Sequence, residues 1–500
     1  MWPKYIVVQA GGKGTRLEHL TRNKPKALTP IGNRPMIFHL FEKFPDQKYI
    51  IVGDYKCDVL RKYLKAFAKV DYTVIDAHGK SGTCAGLGES LREIPDGEPF
   101  LLIWCDLVLP EEFNFPEQTT NYVGISKDFP CRWSYKNGTF KEERSTEQGV
   151  AGLFLFQDKS LLSGMPQEGE FVRWLGEKGA VFRELSLYRT REYGLLEEYQ
   201  KLGARKCRPF NRITVKEDRL IKEPVDDQGL ALAERERAWY RRVMSQNFRQ
   251  IPRIYSLDPL EMERIDGENI YSYTKLSQKQ KKESLIQIIS CLKKVQALEQ
   301  APANRESYWE AYIGKTIKRL EKVRELVPFA DQEAVLINGK VCRNVFFHWK
   351  EIEETVMSFL PDTFKLLHGD CTFSNILLRN DCTPVLIDPR GYFGNTELYG
   401  DPAYDWAKLY YSIVGNYDQF NLKRFSLEIR EDGVDLHIES NHWEDMEPVF
   451  FDLLKGEIAP RQIKMFHAII WLSLTTYAWE DYDSICGAFY NGLLYLEDVL

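Results

Sequence analysis

Two clusters of residues in this chain have the types and spacing that phosphate chemistry requires. The first, AGGKGTRL at Ala10 to Leu17, follows an apolar run directly. Its glycines permit tight backbone and close approach to phosphates, the following segment can turn amide donors toward an anion, and Lys13 and Arg16 add positive charge. The second is HGDCTFSN at His368 to Asn375, followed by LIDPRG at Leu386 to Gly391. An aspartate five residues before an asparagine, with another aspartate after an apolar strand, suits phosphoryl transfer. Asp370 is then the base toward a substrate hydroxyl, and Asn375 and Asp388 are ligands of Mg2+. Together the clusters predict consecutive steps: a phosphomonoester made at the second is capped with a nucleotidyl group at the first.

These side chains need elements to position them. YIVVQ at 5, YIIV at 49, YTVI at 72 and FLLIW at 100 read as buried strands, with helices over MIFHLFEKF and DVLRKYLKAF. The alternation predicts an α/β domain with a mostly parallel sheet whose strand ends share one functional edge. The charged stretch from Glu197 to Arg208 lacks strand character, which places a boundary there: domains at 1–204 and 205–500. RITVKEDRLIKEP at 212–224 predicts a hairpin turning at Glu217-Asp218, and LALAERERAWYRRVM a helix. That is the order of a kinase small lobe, about 205–265. Helical periodicity dominates a large lobe of about 266–500, with Leu285, Ile288, Ile289, Leu292 and Val295 on one face and Ile313, Ile317, Leu320 and Val323 on another.

Composition narrows the partners. Five hundred residues exceed one ordinary core. With 67 basic against 73 acidic residues there is no electrostatic case for nucleic acid, so a small-molecule substrate is expected. Ten scattered cysteines outline neither a zinc site nor a disulfide framework. No signal segment is legible at the N-terminus, and Phe466 to Trp479 is too short and polar to span a bilayer, so a cytoplasmic protein without membrane insertion is expected.

The glycine loop, with TRNKPKALTPIGNRPMI at Thr21 to Ile37, resembles nucleotidyltransferases acting on sugar phosphates, phosphocholine and related phosphomonoesters, over about the first 200 residues. The resemblance implies a Rossmann-like domain in which Gly11, Gly12, Gly14, Thr15 and Arg16 surround a nucleoside triphosphate and Lys26 contacts phosphates. SGTCAGL matches the family's base-binding segment at Gly82, Thr83, Ala85 and Gly86, and Asp106 stands where the family holds Mg2+. The family also supplies a second metal-binding aspartate. No aspartate occurs between Asp158 and Asp218; Tyr188 lies near the expected place, and Glu170, Glu184 and Glu192 are the candidate substitutes.

Residues from about 208 to 500 resemble the aminoglycoside phosphotransferase and choline kinase superfamily, which implies a two-lobed, protein-kinase-like fold. Lys222 matches its phosphate-contacting strand lysine. Glu236 is the expected ion-pair partner, with Glu234 as competitor, and Met262 to Ile265 fall at the adenine hinge. His368 is expected to support the loop, and Asp405 to anchor a helix start, with Asp401 ambiguous. Choline kinases follow the metal aspartate with an acidic residue; here Asp388-Pro389-Arg390 brings a cation. For Trp471, Tyr477, Trp479 and Tyr482 buried packing in a helical lobe is the expected role, with an aromatic pocket for a cationic acceptor as the alternative.

The expected protein is thus bifunctional. It uses ATP to phosphorylate a small alcohol, a sugar or polyol before choline, and a second NTP, CTP slightly favoured, to activate the product for surface glycan or lipid, with Mg2+ at both sites. The rival expectation is an active kinase attached to a non-catalytic nucleotide-binding module.

Overall fold

Runs of Tyr, Ile, Val and Leu without polar alternation are stable as strands only when both faces are covered. The computed structural model describes residues 3–117, 119–200, 211–266, 269–272, 276–379 and 382–500. It divides into two compact units, Met1–Arg205 with Trp479–Asp483 and Lys206–Ala478 with Ser484–Leu500. The boundary expected at residues 204 and 205 lies outside the described residues.

In the first unit β1 (Tyr5–Gln9), β2 (Lys48–Gly53), β3 (Asp71–Asp76) and β4 (Phe100–Trp104) run parallel in the order β4-β1-β2-β3, within a nine-stranded sheet. β5 (Tyr122–Ser126) and β6 (Gly149–Phe156) extend it, β6 antiparallel to both β4 and β5, and β7 (Arg183–Ser186) lies parallel to β5. In register, Gln9 stands opposite Val52 and Trp104, so the loops after β1 and β4 leave the sheet side by side. Helix α1 (Cys57–Phe67) connects β2 to β3 and buries Leu60, Tyr63 and Leu64. On the other side of the domain Phe100, Phe154, Phe156, Phe171 and Phe182 share one buried cluster. This is a Rossmann-like nucleotidyltransferase fold with a mostly parallel sheet.

The second unit begins with an antiparallel sheet, β8 (Asn211–Val215), β9 (Arg219–Pro224), β10 (Ile254–Leu257) and β11 (Leu260–Glu263), in the order β8-β9-β11-β10. Helix α2 (Asp227–Ser245) starts where the Asp226 carboxylate accepts the Gly229 N–H at 2.6 Å. Helix α3 (Gln278–Leu298) opens on a Ser277/Gln280 capping box and buries all five apolar positions read from its period. Helix α4 (Lys315–Val323) follows. Strand β12 (Thr363–Leu366) leads into the HGDCTFSN loop, and the hairpin of β13 (Ile376–Leu378) and β14 (Pro384–Leu386) leads out to LIDPRG. Helices α5 (Pro402–Ile413) and α6 (Pro460–Leu474) complete the core of a kinase-like phosphotransferase domain. Among the described residues, no helix is long and apolar enough to cross a membrane.

Two groups of residues left open by the sequence find their places here. The aromatic quartet is divided between the units: Trp471 is core of the second, its indole donating to His467 at 3.0 Å, and Tyr482, in the first, is 1% exposed. Trp479 belongs to the first unit, against Phe38 and Phe67, while Tyr477 is 48% exposed. The ambiguous Asp401 is the cap of α5, accepting the Ala403 N–H at 3.0 Å, and Asp405 stands in the first turn.

Candidate active sites

In the first unit the AGGKGTRL loop leaves β1 with Gly12, Lys13, Thr15 and Arg16 exposed and Leu17 buried beneath them. Lys26 returns underneath, its backbone N–H pointing at the Gly12 carbonyl, 3.5 Å away. Its buried ammonium forms a short ion pair with Asp106 at the end of β4. Burial, the largest single influence, lowers the lysine pKa; the charge and hydrogen bond of Asp106 with the charges of Cys105 and Glu192 together outweigh it and keep Lys26 protonated. The other Asp106 oxygen, Oδ1, is buried without a hydrogen bond.

The carboxyl beside Asp106 is Glu192. Strand Arg191–Glu192 pairs antiparallel with Leu107–Val108, and the Tyr193 N–H donates to the Asp106 carbonyl at 3.1 Å. Burial, then the Asp106 charge, push the Glu192 pKa up to about 7, with Lys26 and Arg16 opposing. Arg16 reaches it at 4.0 Å. Glu170 is instead engaged by Thr83 and Arg132, Glu184 is exposed on β7, and Tyr188 is 73% exposed. Of the three glutamates the sequence left open, Glu192 is the one the structure brings beside Asp106.

The Gly82–Gly86 segment is locked against Gly169. Gly82 has φ +85°, and a Cβ there would overlap the Gly169 carbonyl, so a larger residue cannot pass. The Cys84 N–H donates to that carbonyl at 2.9 Å, and Thr83 Oγ1 accepts the Phe171 N–H at 2.8 Å. Gln9, at the end of β1, donates its amide to the Thr83 carbonyl; no motif drew attention to it.

In the second unit Lys222 on β9 lies 2.7 Å from Glu236 on α2 and 2.7 Å from Asp388. Glu234 is exposed. Burial opposes the Lys222 charge, but the two carboxylates outweigh it and hold it protonated. Glu236, deeper and sharing that ammonium with Asp388, is pushed up to about 7, mainly by burial.

Asp370 is held from two sides. Lys408 on α5 pairs with Oδ1 at 2.8 Å, and the Asn375 amide donates to Oδ2 at 3.0 Å and to the Asp370 carbonyl at 2.8 Å. With that nitrogen committed to Asp370, the Asn375 amide oxygen is the atom left to meet a cation. The buried Asp405 carboxylate accepts the N–H groups of His368 at 3.1 Å and Gly369 at 2.7 Å. Buried His368 has its pKa lowered, first by desolvation; neutral, it donates from Nε2 to the Ile387 carbonyl at 2.9 Å and accepts the Asp370 N–H at Nδ1, 3.3 Å. From α2, Trp239 donates to the Leu367 carbonyl at 2.6 Å, tying the small lobe to the loop. Met262 is buried on β11, and Glu263 beside it pairs with Arg379 at 2.8 Å.

The donor sets fit Mg2+, which prefers hard oxygens and is usually held by one or two carboxylates plus phosphates. The partnerless Asp106 Oδ1 beside Glu192 is one such set; the Asn375 amide oxygen with Asp388 is the other. Among the described residues, no group of three or more His, Cys, Asp or Glu gathers as a self-sufficient metal cage.

Residues 6–113 match the model of the MobA-like NTP transferase domain, and residues 210–427 that of the phosphotransferase enzyme family. A bifunctional protein GlmU of Methanocaldococcus jannaschii is 30% identical over 111 residues, 21% of this chain and 26% of that protein. A probable mannose-1-phosphate guanylyltransferase 1 of Oryza sativa is 29% identical over 119 residues, 22% of this chain and 32% of that one. The chain thus spans about a quarter to a third of the length of these curated relatives. A solved structure of the CTP:phosphocholine cytidylyltransferase of Streptococcus pneumoniae is 20% identical, covering 40% of this chain and 98% of that one with a TM-score of 0.33. The chain therefore joins an N-terminal MobA-like NTP transferase domain to a C-terminal domain of the phosphotransferase enzyme family, both of them families of enzymes.

Proposed function

We propose that the second unit phosphorylates a small alcohol with ATP and that the first joins the product to a nucleoside monophosphate, releasing pyrophosphate. The observation that carries the reading is Glu192 beside Asp106, because it completes the acidic pair that the nucleotidyl step needs. Without it the first unit would be only a nucleotide-binding module.

In the kinase step Asp370, fixed by Lys408 and Asn375, accepts the acceptor hydroxyl proton as its oxygen bonds the γ-phosphorus and ADP leaves. Lys222, steadied by Glu236, holds the ATP phosphates. Asn375 and Asp388 would hold Mg2+ here, and Asp106 and Glu192 in the first unit, where the ion supplies charge neutralisation on the phosphates. There Gly11, Gly12, Gly14, Thr15 and Arg16 surround the triphosphate, Gly82, Thr83, Ala85 and Gly86 receive the base, and Lys26 meets the phosphates as the phosphomonoester oxygen attacks the α-phosphorus. A sugar or polyol is the favoured acceptor and CTP the favoured second nucleotide. The product is an activated precursor for surface glycan or lipid, made in the cytoplasm.

Mass spectrometry of reactions with Mg2+, ATP, one other NTP and a panel of alcohols tests this. An NDP-linked product with pyrophosphate is expected; a phosphomonoester alone would sustain the rival of a kinase with a non-catalytic module. Choline turnover above every sugar and polyol would replace the acceptor assignment.

A further inference from the structure

Beside the loop that holds Asp370 lies a cavity of about 210 Å³, lined by Lys315, Arg390, Tyr392, Tyr404 and Glu310 among others. Its charge is lopsided. Arg390 gives its two terminal nitrogens to phenols, Tyr404 at 2.8 Å and Tyr392 at 2.9 Å. Arg319, one turn along α4 from Lys315, donates to the Ser473 carbonyl at 2.6 Å. Arg235 and Arg390 each lie 4.4 Å from the centroid of Tyr392. Among the described residues no carboxylate stands within ion-pair distance of Lys315, Arg319 or Arg390, and the Lys315 ammonium makes no hydrogen bond; its nearest ring, Tyr404, is 5.8 Å away. Burial first, then repulsion from Arg390, Arg319 and Lys408, drive the Lys315 pKa well down, with Glu310 opposing. A lysine whose protonated form lacks any countercharge within ion-pair distance, next to two arginines bonded only to neutral oxygens, is a site awaiting an anion.

We infer that the alcohol phosphorylated at Asp370 carries an oxyanion of its own, a carboxylate or a phosphate, which seats on Lys315 and Arg390 while its hydroxyl faces Asp370. The inference rests on the kinase reading and sharpens its acceptor. The cavity is below the usual range for drug-sized ligands, which suits a single sugar-sized molecule. The backbone ties the two halves together, since the Arg390 N–H donates to the His368 carbonyl at 2.8 Å, two residues before the base. The rings of Tyr392, Phe393 and Tyr404 without excess positive charge would favour a quaternary ammonium; here the cations reverse that preference.

The test uses the full chain with ATP and Mg2+, following ADP release with matched acceptors: glucose against gluconate and glucose 6-phosphate, glycerol against glycerate and glycerol 3-phosphate, and choline. The anionic members should have kcat/KM about tenfold or more above their neutral partners, and the carboxylate and phosphate arms tell which oxyanion is used. Lys315→Met should raise the KM for the anionic acceptor about tenfold while leaving the KM for ATP within about twofold. Lys315→Arg should restore most of it. Equal or better use of neutral or cationic acceptors would overturn the inference while leaving the kinase intact. An effect of Lys315→Met on the ATP KM alone would also overturn it, by assigning the cluster to the γ-phosphate. ADP release with no alcohol at all would sink the kinase reading and this inference with it.

Discussion

Glu192 concentrates what is distinctive about the first site. Its carboxyl is held up to about 7 by burial and by Asp106, yet metal binding requires the carboxylate. Nucleotidyl transfer at limiting Mg2+ should therefore rise with pH through about 7, and saturating Mg2+ should move that rise to lower pH, because the cation favours the charged form. A pyrophosphate-release profile that is flat from about pH 6 to about pH 8.5 would count against the role. Glu192→Gln should cost the nucleotidyl step at least about tenfold, with the kinase step unchanged. The residue was only partly legible beforehand. Asp106 follows a long apolar strand and stands out, whereas Glu192 depends on a two-residue pairing with Leu107–Val108 that leaves no periodic trace.

At the scale of elements, the short loop between β12 and β13 owes its shape to α5. Asp405 accepts two of its N–H groups, Lys408 one turn later grips Asp370, and Cys371 points its thiol at the Asp405 carbonyl. Asp405→Ala should lower kcat of the kinase step more than it raises the KM for ATP, and destabilise the second unit by about 3 kcal/mol, since two buried N–H groups lose a charged acceptor. Urea unfolding followed by tryptophan fluorescence would measure it, and an unchanged midpoint would refute the anchoring role. The strands, the hairpin and helices α2 and α3 were readable because their periods and caps are local. The roles of the aromatic quartet stayed open for the opposite reason: which of Trp471, Tyr477, Trp479 and Tyr482 are buried depends on packing, and no spacing rule carries that information. Lys408 went unnoticed because its partner Asp370 lies far along the chain, and Lys315 because the arginine it faces, Arg390, does too.

Over the whole molecule, the two reactions proposed for one polypeptide make a simple genetic separation possible. Asp370→Asn should abolish phosphorylation and be rescued by supplying the phosphomonoester, while Asp106→Asn should let that phosphomonoester accumulate. Liquid chromatography of the products would settle it, and loss of both steps from either change would contradict the division of labour. A chelator should silence both reactions together. The fold of each half was legible from its motifs, but the cationic cavity behind the inferred anionic acceptor was not, because it arises where residues 310, 315, 319 and 390 converge.

Lys222 sits midway in a tug of war, with Glu236 on one side and Asp388 on the other. A divalent ion that claims Asp388 relieves one of those pulls, and the freed ammonium can then turn to incoming phosphates. Nucleotide and metal should consequently strengthen each other's hold by one and the same factor, whichever arrives first.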